Sequence, residues 1–185
     1  MRADPTSGVI VTGRDGLGIA RIEPGRGRTA AVLELLRAQL GLEPPNEPRF
    51  VSRGDVAIGG ISPNCWIAVH ASAGNSFAES LQALLGGHAS VVDQSDAYVI
   101  FRLAGPKVRA TLAKLVPIDV HPRRFQVSDI AQTVCGYVSV MVWRMEDDLQ
   151  GDPAFEIWVA RSLAAGLHQA IGHGAAEFGF VRQTP

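Results

Sequence analysis

Residues 89–106 read Ala-Ser-Val-Val-Asp-Gln-Ser-Asp-Ala-Tyr-Val-Ile-Phe-Arg-Leu-Ala-Gly-Pro. Two runs rich in β-branched and aromatic residues, Ala89 to Asp93 and Ala97 to Leu103, flank Gln94-Ser95-Asp96. That pattern predicts a hairpin. Gly105-Pro106 then breaks the strand, and Val108, Leu112 and Leu115 recur at helical spacing. Strand, strand, tight turn and amphipathic helix follow one another within about thirty residues. An antiparallel sheet with helices laid on it is the architecture this order favours.

The same unit recurs along the chain. Leu17 to Ile22 precedes the turn Pro24-Gly25-Arg26-Gly27 and a helix whose Val32, Leu35, Leu36 and Leu40 form one apolar stripe, closed by Gly41. Trp66 to His70 precedes a helix carrying Phe77, Leu81, Leu84 and Leu85, with Ser76 and Glu79 at capping-box spacing. Phe155 to Ala160 precedes a helix with Leu163, Leu167 and Ile171, for which Ser162 is the expected N-cap. Val56 to Ile61 and Cys65 to His70 flank Ser62-Pro63-Asn64 as a second hairpin, and Ile130 to Arg144 reads as one long strand or a bent pair. The order β-α-β-β-α-β-β-α-β-β-α resembles tandem split βαβ (ferredoxin-like) units, an α+β fold with largely antiparallel sheet. Residues 1–185 are expected to form a single domain, with 1–15 a flexible N-terminal segment. Glu43 to Gly54 and Pro117 to Ser128 are rich in turn residues and read as loops.

Composition narrows the function. Of 185 residues, 46% are hydrophobic and 19% charged, which is globular composition. A chain this long buries roughly 70% of its unfolded surface. Lys+Arg is 17 against Asp+Glu 18, a net charge of −1, so the basic excess expected of a phosphate-neutralising nucleic-acid binder is missing. Only Lys107 and Lys114 among the basic residues are lysines; arginine suits interface cores better than lysine, although genome composition produces the same bias. Met1 to Gly8 is polar with no apolar h-region, and Val134 to Trp143 is about half a bilayer span, so no membrane association and a cytoplasmic location are expected.

No catalytic, cofactor-binding or metal-binding residue is assigned from the motifs. Gly13, Gly16 and Gly18 follow Val9-Ile10-Val11, but their G-x-x-G-x-G spacing fits no nucleotide fingerprint and the chain continues as strand; a Gly-rich bend is expected. Among His70, His88, His121, His168 and His173, the last two share a helix but lie about 140° apart around it. Cys65 and Cys135 lie in strand patterns and read as buried small apolar residues. Glu146, Asp147, Asp148 and Asp152, interrupted by Gly151 and Pro153, read as a solvated turn.

The strand faces carry more information. In Val134 to Arg144, one face carries Val134, Val138, Val140 and Val142, the other Cys135, Tyr137, Met141 and Trp143. Phe155, Ile157 and Val159 alternate with Glu156 and Trp158, and Val99, Phe101 and Leu103 with Tyr98, Ile100 and Arg102. The second faces thus pool Tyr98, Ile100, Tyr137, Met141, Trp143 and Trp158, residue types enriched where a protein meets a partner. Either a partner or a further layer of the chain itself must cover such a patch.

Leu115-Val116-Pro117-Ile118-Asp119-Val120-His121-Pro122 resembles a signature of the gamma-subunit family of heterotetrameric sarcosine oxidases. Val91-Val92-Asp93-Gln94-Ser95-Asp96, Phe101-Arg102-Leu103-Ala104-Gly105-Pro106 and Ala131-Gln132-Thr133 fit it too, as do Arg161-Ser162-Leu163-Ala164, Ala176-Glu177-Phe178-Gly179 and, near the start, Gly16-Leu17-Gly18-Ile19-Ala20. Gly166, Leu167 and His168 depart from it, standing where bulkier aromatics are expected.

The resemblance implies a fold similar to the folate-binding domain of aminomethyltransferases. It implies a non-catalytic structural subunit of a complex that oxidatively demethylates sarcosine to glycine, formaldehyde (or methylenetetrahydrofolate) and hydrogen peroxide. It also implies alpha, beta and delta subunits as partners, with direct contact to alpha. FAD, FMN, NAD, tetrahydrofolate and zinc would belong to those subunits, and none to this chain. Trp143, Trp158 and Tyr98 are the expected anchors of the docking face. The N-methylglutamate dehydrogenase complex is similar in subunit plan. A free-standing folate-binding module is the other alternative, and it would need Asp93, Asp96 or Asp119 to meet the pterin.

Overall fold

A computed structural model describes residues 7–183. In chain order the elements are β1 (Val9–Arg14), β2 (Gly18–Pro24), α1 (Thr29–Leu40), β3 (Phe50–Arg53), β4 (Val56–Ser62), β5 (Cys65–His70), α2 (Ser76–Leu85), β6 (Ala89–Asp93), β7 (Tyr98–Ala104), α3 (Val108–Leu115), β8 (Ile130–Cys135), β9 (Val138–Met145), β10 (Ala154–Ala160), α4 (Ala164–Ala175) and β11 (Phe180–Gln183). They form two compact units, residues 16–97 and residues 7–15 with 98–183.

The first unit holds a five-stranded antiparallel sheet in the order β3-β4-β5-β2-β6. Ala20, Ile22, Ile58, Trp66 and Ala68 point to one face and pack on Val32 and Leu36 of α1 and on Phe77, Leu81 and Leu85 of α2. These helix residues are the stripes read from the sequence. Burying a large apolar side chain contributes about 2 kcal/mol, so such a face outweighs the weak propensity of any single turn.

The second unit holds a six-stranded sheet in the order β11-β1-β7-β10-β9-β8. β11 runs parallel to β1 and every other pairing is antiparallel. Val9, Val11, Leu103, Val142, Phe155, Ile157 and Val159 pack on Val108 and Leu112 of α3 and on Leu167, Ile171 and Ala175 of α4. Each unit is therefore a sheet with two helices on one face, the α+β arrangement expected.

Several expectations are corrected. Ala89–Asp93 and Tyr98–Ala104 do not form a hairpin: β6 pairs with β2 in one sheet, and β7 pairs with β1 and β10 in the other. Between them the Gln94 amide donates to the Ile19 carbonyl and the Ser95 hydroxyl accepts the Ile19 amide, so the connection is tied to the strand beside β6. Residues 9–14 are no flexible segment but an interior strand of the six-stranded sheet; residues 1–6 lie outside the described residues. β3 emerges from the Glu43–Gly54 loop, and β11 follows the last helix.

The long run after Ile130 is a tight hairpin, β8 and β9, turning at Gly136-Tyr137 with Gly136 at φ 61°. Glycine at the first turn position suits a two-residue hairpin. The turn also resets the alternation. Cys135 pairs with Val138 on the helix-covered face, while Val134 pairs with Ser139 on the other, so the two exchange the faces a continuous strand would have given them.

The capping expectations also fail. Asn75 and Leu163 precede α2 and α4, and neither start has a side-chain cap. The Ser76 hydroxyl donates to the Ala73 carbonyl instead, and Ser162 lies in a 3-10 turn that leads into α4.

Candidate functional site

The glycine stretch after Val11 is a bend: β1 ends at Arg14, β2 begins at Gly18, and no helix starts among the glycines. A side chain on Gly18 would overlap the Gly74 carbonyl and Phe77, so this glycine serves close packing within its unit.

The three carboxylates considered for a pterin are separated in use. Asp93 accepts from the Ser95 hydroxyl at 2.6 Å and the Ser95 amide at 2.9 Å, and Asp119 accepts the His121 amide at 2.9 Å. Asp96 is exposed in the turn before β7. Asp93 and Asp96 belong to one unit and Asp119 to the other.

Among the described residues, no three His, Cys, Asp or Glu side chains are grouped as metal ligands. His70 Nδ1 accepts the Ser72 amide and its ring meets Phe77 at 5.4 Å. His121 Nδ1 accepts the Arg123 amide. The His168 ring lies 5.6 Å from Phe101 and 6.0 Å from Phe180. Cys135 is buried in the helix-covered core, and burial raises its thiol pKa. Cys65 is buried but not apolar in its contacts. Its sulfur accepts from Arg21 Nε at 3.3 Å and donates to Glu23 at 3.6 Å. The acidic turn after β9 is organised by Asp148, whose carboxylate accepts the amides of Gln150 and Asp152 at 2.9 Å each.

The second face of the six-stranded sheet carries an aromatic row. Trp143 stacks on Trp158 at 4.8 Å, and Tyr98 meets Trp158 edge-on at 5.9 Å. These are the residues expected to anchor a partner, and the structure corrects that role: each tryptophan keeps 1% of its surface exposed. The row adjoins a buried charge the sequence pattern passed over. Glu156, 2% exposed, pairs with Arg14 at 2.5 Å and lies 3.8 Å from Arg102. A lone carboxylate inside an apolar alternation gives no sign that two arginines from other strands will meet it. Such a pair is costly to break, because one partner is left charged and buried.

The large apolar side chains left exposed are elsewhere. Tyr137 at the β8–β9 turn and Leu149 in the β9–β10 loop are fully exposed, and Val92, Val134 and Leu163 are partly so.

A second cluster, also missed, surrounds Phe155. Phe125 stacks on it with ring planes 4° apart and centroids 6.2 Å apart. The guanidinium carbons of Arg109 and Arg144 each lie 5.1 Å from its centroid. Arg109 donates to the Val120 carbonyl, and Arg144 donates to the carbonyls of Met145 and Ala154 and pairs with Asp147. Burial lowers the pKa of Arg109, and the neighbouring Arg144 cation lowers it further, against a smaller opposing effect of Asp147.

The model of the GCVT N-terminal domain matches residues 50–183. The chain is 32% identical over 127 residues to a protein named sarcosine oxidase subunit gamma from Arthrobacter sp, covering 67% of this chain and 60% of that one. It is also 32% identical over 128 residues to the protein of the same name from Corynebacterium sp. (strain P-1), with the same coverage. The chain thus spans 60% of the length of these curated relatives.

Among solved structures, heterotetrameric sarcosine oxidase from Corynebacterium sp. U-96, in complex with pyrrole 2-carboxylate, shares the fold. The TM-score is 0.78 at 20% identity, over 92% of this chain and 85% of that one. Glycine cleavage system aminomethyltransferase T from Bartonella henselae shares it at TM-score 0.65 and 14% identity, over 95% of this chain and 48% of that one.

Proposed function

The chain belongs to the GCVT N-terminal domain family, and we propose that it is a non-catalytic, structural gamma subunit of a heterotetrameric sarcosine oxidase. The observation that carries this reading is the 32% identity, over two thirds of the chain, to proteins named as that subunit. The fold shared with a heterotetrameric sarcosine oxidase supports it.

On this reading the two units act as one domain, supported by a family match that runs through the boundary between residues 97 and 98. The assembly oxidises sarcosine to glycine, formaldehyde and hydrogen peroxide, or passes the one-carbon unit to tetrahydrofolate. Alpha, beta and delta subunits hold FAD, FMN, NAD, folate and zinc, alpha is in direct contact with this chain, and the complex works in the cytoplasm. No helix among the described residues is long and apolar enough to cross a membrane.

Co-expression with the adjacent genes, followed by size-exclusion chromatography read at protein and flavin wavelengths, tests the reading. The expected result is this chain in a large flavin-coloured peak that oxidises sarcosine. Elution alone, beside a complete flavoenzyme, would overturn it. Oxidation of N-methylglutamate in place of sarcosine would move the chain to that dehydrogenase complex. Calorimetry of the isolated chain with tetrahydrofolate is expected to show no binding.

A further inference from the structure

The segment from Val116 to Asp129 contains no helix or strand, yet it is firmly held. Val116, Val120 and Phe125 are buried in the core of their unit. The amides of Arg124 and Phe125 donate to the His121 carbonyl at 2.8 and 2.9 Å, and the Asp119 carboxylate accepts the His121 amide. This tight turn leaves Arg123 and Arg124 exposed. Long irregular loops pinned in this way are usually functional.

The ion pairs are unevenly distributed. Arg14, Arg21, Arg37, Lys114 and Arg144 each have a carboxylate partner. Arg109, Arg123 and Arg124, like Arg26, Arg28 and Arg53 in the other unit, have none within ion-pairing distance among the described residues, but the first three gather at one loop, where Arg109 donates to the Val120 carbonyl. The two acids of the segment are turned onto its own backbone, Asp119 accepting the His121 amide and Asp129 the Gln126 amide. Beside the loop, the guanidiniums of Arg109 and Arg144 lie over Phe155, and Asp147 pairs with Arg144. Burial lowers the pKa of Arg109, and the neighbouring Arg144 cation adds to that lowering.

We propose that Arg109, Arg123 and Arg124 form the surface on which an acidic face of a partner subunit docks, an inference that rests on the subunit reading above. No carboxylate of the described residues pairs with these three guanidiniums, and a planar guanidinium takes a carboxylate in a two-pronged hydrogen bond that an ammonium cannot match. A nucleic-acid backbone is the poorer occupant, because the chain has no basic excess with which to follow it. Opposed charge of this kind sets register and on-rate, so the contact is sensitive to salt.

The test uses the co-expressed assembly. Arg123→Glu with Arg124→Glu should weaken retention of this chain by the assembly about tenfold or more at about 50 mM salt. It should also flatten the salt dependence that the wild type shows. The exposed pair Arg26→Glu with Arg28→Glu, in the other unit, is the control and should assemble as the wild type does. Wild-type retention of the Arg123/Arg124 variant would overturn the docking surface while leaving the subunit reading intact. Equal loss in both variants would overturn it as well, since bulk charge would then be the cause. A wild-type chain that joins no assembly would overturn both.

Discussion

Two loops of this molecule look alike in sequence and behave differently in the fold. Residues 43–54 and 117–128 are both rich in proline and polar turn residues. The first closes onto its own sheet through backbone. The Gly60 amide donates to the Arg49 carbonyl, Trp66 Nε1 donates to the Pro45 carbonyl at 2.8 Å, and the chain then becomes strand β3. The second is pinned by buried side chains and turns its arginines outward. Backbone contact makes the first loop part of the sheet's architecture. Side-chain anchoring leaves the second free to present charge.

Substitutions in the two loops should separate these modes of attachment. The largest effect is expected at the side-chain anchor. Phe125→Ala removes a buried ring and its stack on Phe155, and should cost about 4 kcal/mol in a denaturant titration. A loss below about 1 kcal/mol would mean that the loop does not depend on that ring.

Next comes Gly60→Val, whose side chain would overlap the carbonyls of Glu47 and Pro45. A cost of about 3 kcal/mol is expected, seen as a fall in Tm of roughly 10 °C. An unchanged Tm would show that the first loop can lift away without penalty.

Trp66→Phe keeps most of the apolar volume but leaves the Pro45 carbonyl without its donor, and about 1.5 kcal/mol should be lost. The smallest effect belongs to the outward arginines. Arg123→Glu with Arg124→Glu should change the stability of the isolated chain by no more than about 0.5 kcal/mol. A larger loss would mean that these side chains support the fold instead of presenting charge.

The sequence was most legible where a local period matched a single buried face. The stripes Val32–Leu36 and Phe77–Leu85, the β4–β5 hairpin and the bend at Gly13–Gly18 could all be read directly. Legibility failed where the pairing partner was distant. Ala89–Asp93 and Tyr98–Ala104 have the pattern of a hairpin, but β-branched alternation favours strand without naming a neighbour. Phe50–Arg53 and Phe180–Gln183 are too short to show a period, and become strands because β4 and β1 offer them an edge.

The candidate site was less legible still. Trp143 and Trp158 have the composition of an interface, yet both are buried within the chain. The arginines gathered at the second loop could not be picked out among the chain's other arginines until Arg109 was seen to reach the Val120 carbonyl and Asp119 and Asp147 to be engaged elsewhere.

By itself the sequence determined the α+β class, the four amphipathic helices and a surface without basic excess. Those follow from side-chain period, turn chemistry and charge, which act over a few residues or over the chain as a sum. Only the tertiary structure decided that residues 89–104 divide between two sheets, that Val134 and Cys135 face opposite ways, and which arginines remain unpaired. Strand neighbours, face parity after a turn and ion-pair partners are contacts between segments far apart in the chain. Their choice is made by the total apolar and charged surface each arrangement buries, a quantity that no short stretch of residues contains.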